Sequence, residues 1–407
     1  MRSLISRKEP FRFFFLLGLG IAAIGLAPWL LFQLGFMHGW PGPLHAMTMT
    51  QGFLLAFAVG FLGTMLPRRT GSPPLSPLEF ALLAFALVGL PVCLLGGALR
   101  PAHLLFGLVL VTLAQYALRS LRQSTQNHPP LPSFIFIPVA LVQGLVGVIL
   151  LFANSLWRSP PWLPAVAKQL MQQGILVGLV LGLSPMLAPL LWTGNAPLPP
   201  RPAGLGRALH GGVAAALVAS FIIEQAASAR AGLLLRGVLC AALLWRVALP
   251  WEPRKKSGLH RLLFRVALWF LPVGLLLAAA VPLHRVAFLH LTFIAGLSVL
   301  TFATSVHVTL LHSGHETEAE QTSIGVVATA LSLFAAAVVR VCADWLGIHF
   351  LAGLTVAAAL LLLALGIWGA FLFLKMRPPV AGSDLAGARA DLLSSEEYRR
   401  KFIQKGA

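Results

Sequence analysis

The chain has 407 residues, 58% of them hydrophobic and only 10% charged, with a mean hydropathy of +0.85. A water-soluble domain could not solvate such a surface, so lipid is the solvent for most of this protein. The net charge of +18 does not mark a nucleic-acid binder, because the lysines and arginines sit in short loops between apolar runs.

Inside lipid a segment must satisfy its own backbone polar groups, which selects helices. The expected fold is therefore all-α, a polytopic transmembrane helix bundle of about twelve spans. In chain order the first span, 12–33, follows the basic stretch "MRSLISRKEPFR". It is predicted to stay uncleaved, since no small-residue cleavage site closes it. The second, 44–66, opens at Leu44-His45 and is closed by Pro67 and the pair Arg68-Arg69. Spans at 78–98, 102–119 and 133–153 follow, with prolines at their boundaries. The next loop, "SLWRSPPWLP", places Trp157 and Trp162 where an interfacial aromatic belt would be. The sixth span, 165–192, carries Ser184-Pro185 and Pro189. Spans at 207–226 and 230–250 lead to the basic loop "WEPRKKSGLHR", read as a topology signal. The last four are 260–281, 286–311 with Leu289-His290 near its opening, 323–346 and 350–375. Residues 1–376 thus make a membrane domain and 377–407 a polar cytoplasmic tail, as a short surface helix or an unstructured one.

Charge orients the spans. With the N-terminus inside, 23 of the 30 basic residues fall in cytoplasmic segments, which predicts both termini in the cytoplasm. Cys93, Cys240 and Cys342 lie in separate apolar runs without zinc or disulfide spacing and read as packing residues.

Twelve histidines among so few charged groups stand out. The topology puts His38, His45, His103, His284, His290 and His349 near the outer interface, and the other six near the cytoplasmic side. Neutral imidazole ligates haem iron and copper and is cheap to bury. His45 and His290 each open a long apolar span from the same side, so they are the expected pair of ligands, with His284, His103 and His349 as substitutes. His312 follows His290 by 22 residues. That is a rise of roughly 33 Å along a continuous helix, too far to share an ion. "LLHSGHETEAEQTS" gathers His312, His315, Glu316, Glu318 and Glu320, and reads as a solvated helix end stopped by Gly314. Acidic residues are nearly absent from the spans, with Glu224 and Asp344 placed close to span ends, and no intramembrane ion pair is evident. No phosphate loop, nucleophile elbow or C-x-x-C-H haem attachment motif occurs.

At the two histidine openings the chain resembles the NnrS family, multi-span bacterial membrane proteins associated with haem and copper and with the response to nitric oxide. The first family block is similar to H-A-H-E-M-x-F-G-F, an apolar span, a proline and T-G. Here His45-Ala46, Gly52-Phe53, Pro67 and Thr70-Gly71 match it. The second block is similar to H-A-L-T-x-G, a span and G-H-T-G, matched by His290 and by His312 with Gly314. The resemblance covers residues 10–376. It implies haem, with copper as a further metal, nitric oxide as a diatomic ligand, and a multi-pass place in the bacterial inner membrane. Met47 and Thr48 replace the family's second histidine and glutamate, and His307 stands where an arginine is usual. Met47 offers a soft thioether in that place, so Met47, His307 and His312 join His45 and His290 as metal candidates. The competing readings are a cofactor-free permease, with Pro185 and Pro189 breaking a span around a substrate, and an assembly factor for another membrane complex.

Overall fold

The computed structural model describes residues 7–376 apart from 124–130, 155–158, 195–202, 246, 248–255, 316–317, 319–320, 346 and 348, and apart from the side chains of 203–205. Trp157, the basic loop as far as Lys255, Glu316, Glu320 and the 377–407 tail lie outside the described residues.

The described residues are mostly helical, with no strand among them. The long helices, in chain order, are α1 (Phe11–Gln33), α2 (Gly42–Thr70), α3 (Pro77–Leu95), α4 (Leu99–Arg122), α5 (Pro132–Ala153) and α6 (Leu163–Thr193). Then come α7 (Ala203–Ala226), α8 (Ala229–Trp245), α9 (Leu259–Ala280), α10 (Pro282–His312), α11 (Ile324–Trp345) and α12 (Phe350–Lys375). Eleven are long and apolar enough to cross a membrane, and the exception is α8, with 17 residues. The protein is thus a polytopic helical bundle and a multi-pass membrane protein.

Side-chain exposure follows from lipid on the outside. On α3, Leu78, Phe85 and Val92 are exposed, and on α4 Leu104, Val111 and Leu118 are. Each set repeats every seven residues, so it forms one apolar stripe down a helix. In lipid such a stripe needs no protein partner. The α3–α4 hairpin is fastened at its polar end. The Ser76 hydroxyl accepts from the Glu79 N–H at 3.2 Å, and the Ser76 N–H donates to Glu79 Oε2 at 2.7 Å, a capping box that starts α3. Arg119 of α4 then donates to the same carboxylate at 2.7 Å.

The twelve helices fall into three groups of four with the same internal packing. The first and second helices of each group pack together, as do the third and fourth. The groups join through α4 on α5, α8 on α9, and α12 back on α1, which closes a ring. The start of α1 and the end of α12 meet at that closure. Arg12 Nη1 donates to the Met376 carbonyl, and Arg12 Nη2 to Ser313 Oγ at 3.3 Å.

The second helix of each group, α2, α6 and α10, lies at the centre and carries a π-helical stretch, at Thr48–Leu54, Leu170–Gly174 and Leu291–Ser298. Each stretch contains a glycine (Gly52, Gly174, Gly296), and each helix stops about 20 residues later at a left-handed glycine: Gly71 (φ 70°), Gly194 (φ 80°) and Gly314 (φ 83°). π turns add a residue to the helical circuit and re-aim side chains, which is why they gather at functional sites.

Proline behaves differently from its reading as punctuation. Pro67 lies inside the last turn of α2, which continues to Thr70, where Arg68 and Arg69 also suit the negative end of the helix dipole. Pro185 and Pro189 do not break α6, which runs through both to Thr193. The Ser184 hydroxyl takes up the Val180 carbonyl there.

Candidate functional site

His45 on α2 and His290 on α10, 245 positions apart in the chain, face each other at the end of the bundle opposite the termini. Their ring centroids are 6.4 Å apart with the planes only 10° from parallel. Each imidazole is fixed through Nδ1. His45 Nδ1 donates to the Gly25 carbonyl of α1 at 3.1 Å, and His290 Nδ1 to the Val286 carbonyl one turn back at 2.7 Å. A carbonyl can only accept, so in the neutral ring both protons sit on Nδ1 and both Nε2 lone pairs are left for another partner.

Both rings line a cavity of about 500 Å³, within the usual range for small-molecule sites, roughly 300–1,000 Å³. All three π stretches contribute to its wall: Thr50 and Leu54 from α2, Gln172 and Gln173 from α6, and Phe293, Ile294 and Ser298 from α10. Trp29 of α1 and Trp40 of the connection to α2 cover it, with the Trp29 ring edge-on to His45 at 5.7 Å. Arg340 and Asp344 of α11 are the charged residues of the lining.

Two imidazoles that ligate one metal in line place their ring centres roughly 6 Å apart, given metal–nitrogen bonds of about 2 Å. The observed pair is a stacked one with a centre separation of that size, both rings in the ligating tautomer and an adjoining apolar cavity. As donors, two neutral imidazoles suit a haem iron and suit a two-coordinate copper as well. Among the described residues no group of three or more His, Cys, Asp or Glu side chains comes together, so a metal here would take two imidazoles from the protein.

The other histidines named from the sequence sit elsewhere. His284 touches this site through Asp344: its Nδ1 donates to Asp344 Oδ1 at 2.8 Å, and its ring lies on Trp345. His103, at the start of α4, is half-buried and is not part of the cavity wall. His349 is exposed in a left-handed turn (φ 54°) that precedes α12. Met47 is buried in the helix core, and Met49, two residues on, is the methionine that lines the cavity. His307 and His312 lie 17 and 22 residues beyond His290 on α10, at the termini end. His312 meets Arg68 at 3.4 Å and packs on Phe11.

Two features escaped sequence reading. His307 is hydrogen-bonded to His260 of α9, Nδ1 to Nε2, at 3.2 Å, and both are buried. The expectation that no intramembrane ion pair exists is also overturned. Arg236 of α8 and Glu224 of α7 are bonded at 2.8 Å with side chains 0% and 1% exposed. They are twelve residues apart across the turn at Ala227–Ser228, a separation at which facing helices of a hairpin bring side chains together. Phe221 lies under the guanidinium at 3.6 Å, and Ser220 and Gln173 accept its other N–H groups. Gln173 links this pair to the cavity wall. The available signal was one arginine and one glutamate flanking a short turn between two apolar runs.

No curated protein shows significant similarity to the chain. A family model, that of the NnrS protein, matches residues 6–378. The chain, nearly in its entirety, belongs to the NnrS family.

Proposed function

We propose that this protein holds a haem between His45 and His290 and serves the cell's handling of nitric oxide, the response with which its family is linked. The observation that carries the reading is the pair of parallel imidazoles, each with Nδ1 occupied by a carbonyl and Nε2 free, at the wall of an apolar cavity. Haem iron would supply a redox-active centre able to bind a diatomic gas. The protein's own part is to hold and shelter. The two carbonyl acceptors fix tautomer and ring orientation. Trp29, Trp40, Phe293 and Ile294 keep water away. Met49 would give a soft third donor if copper occupied the pair.

A second, smaller apolar cavity of about 90 Å³ lies between α2, α6 and α10, and Leu54 lines both spaces. A small uncharged molecule dissolved in lipid could pass this way without a hydrophilic channel. The basic residues Arg12, Arg68 and Arg119 gather at the termini end, which supports both termini in the cytoplasm of a bacterial inner membrane.

The test is an optical spectrum and metal analysis of purified protein, before and after nitric oxide is added. A haem band that shifts with the gas supports the reading. A His45→Ala, His290→Ala double variant that keeps the wild-type spectrum and metal content overturns the ligand assignment. One observation favours a permease instead: the buried Arg236–Glu224 pair reaches the cavity through Gln173, and intramembrane ion pairs mark substrate pathways in transporters. Metal-free protein that drives uptake in vesicles would favour that alternative.

A further inference from the structure

Arg340 stands on α11 with its residue 7% exposed, and it borders both the main cavity and a small recess of about 30 Å³ shared with His45 and His290. Its Nη1 has no hydrogen-bond partner among the described residues. The nearest anion, Asp344 Oδ2, is 3.6 Å away, an ion pair without a hydrogen bond, and the other oxygen of that carboxylate already accepts from His284. The Phe350 ring is 5.9 Å off, and the neighbouring lining residues Leu354 and Leu361 are apolar.

A guanidinium cannot shed its charge, and its planar fork matches a carboxylate. A buried polar group left unpaired is costly, and such groups in native proteins call for a reason. We propose that Arg340 is the carboxylate-binding residue of the cavity, taking an acidic side group of the macrocycle held between His45 and His290. This rests on the haem reading above. Asp344 then acts as a stand-in anion, tethered by His284, that yields Arg340 Nη1 to the incoming carboxylate. The imidazoles hold the metal and Arg340 fixes which edge of the ring points toward α11, so the two interactions are separable.

The experiment titrates detergent-solubilised, haem-depleted full-length protein with haem and with haem dimethyl ester, which lacks the free acids, and reads binding from the absorption band. The expected result is that wild type prefers the diacid by tenfold or more, that Arg340→Gln loses this preference while still binding the ester, and that Arg340→Lys retains part of it. His45→Ala should weaken both compounds alike. A wild type that binds acid and ester equally overturns the proposal and leaves the haem reading standing, as does an Arg340→Gln variant that keeps the preference. A wild type that binds neither compound overturns both.

Discussion

Glu224 accepts from Arg236 at 2.8 Å with both side chains out of reach of solvent. Gln169 donates to the other Glu224 oxygen at 2.6 Å, so the pair ties α6, α7 and the short α8 into one unit. Removing one partner of such a pair leaves an uncompensated charge and costs about 3–5 kcal/mol. Glu224→Leu or Arg236→Met alone should therefore lower the thermal midpoint of the detergent-solubilised protein sharply. The double variant should recover most of the loss, and a double variant as unstable as the singles would show that the pair is not the cause.

Gly274 sets the distance between α9 and α10. A Cβ there would lie 2.4 Å from Thr292 Oγ1, 2.7 Å from the Thr292 nitrogen and 2.8 Å from the Phe288 oxygen. Backbone atoms cannot step aside, so Gly274→Ala must move a whole helix turn, at a cost of about 1–3 kcal/mol. Because His290 sits between the two contacted residues, the variant should also retain less haem. Loss of stability with unchanged haem content would disprove the coupling.

The His260–His307 pair should behave as a structural contact. His260→Leu strands His307 Nδ1 in an apolar setting, with an expected loss of roughly 1–3 kcal/mol. A His260→Leu, His307→Phe double variant should be milder. Since His307 lies roughly 25 Å along α10 from His290, neither change should alter the optical spectrum. A changed spectrum would instead place a cofactor at this end.

Beyond the membrane spans, Glu318 is bonded to Lys375 at 2.5 Å and to His315 at 3.0 Å, clipping the end of α12 to the turn after α10. Partial burial alone would raise its carboxyl pKa, but the hydrogen bonds from Lys375 and His315 outweigh this and hold it below the usual value. A carboxylate with a depressed folded pKa contributes its stability above its unfolded pKa, and loses it as pH falls through the folded one. The side chain is 39% exposed, so screening keeps the effect at or below about 1 kcal/mol. Amide exchange around Ser313–His315 should rise below that pH, and Glu318→Gln should raise it at neutral pH and flatten the dependence.

Much of this was legible in the sequence. Apolar runs marked the helices, and His45 and His290 were singled out because each opens a run from the same side. Their meeting in space agrees with that inference. What stayed hidden was contact between side chains on different helices. Hydropathy reports which residues leave water and not which of them meet, so Arg236–Glu224 and His260–His307 gave no periodic signal. The π stretches were equally silent, since one extra residue in a turn disturbs no apolar pattern in a segment that is apolar all round. Span ends were blurred for a related reason. Pro67, Pro185 and Pro189 look like stops, yet a membrane helix carries proline where neighbouring groups satisfy the freed carbonyl, as the Tyr116 hydroxyl does for the Gly63 carbonyl that Pro67 leaves.

Three seams run between the groups of the ring, and among the described residues a facing pair of imidazoles stands at the one where α2 meets α10. Counting back from the π-turn glycines, the places of His45 and His290 correspond on α6 to Ala167 and Lys168. A scaffold with a threefold plan has thus been given a single polarity. One junction is chemically distinct, and the other two are left to brace it, so damage far around the circle should be felt at the imidazoles as lost alignment.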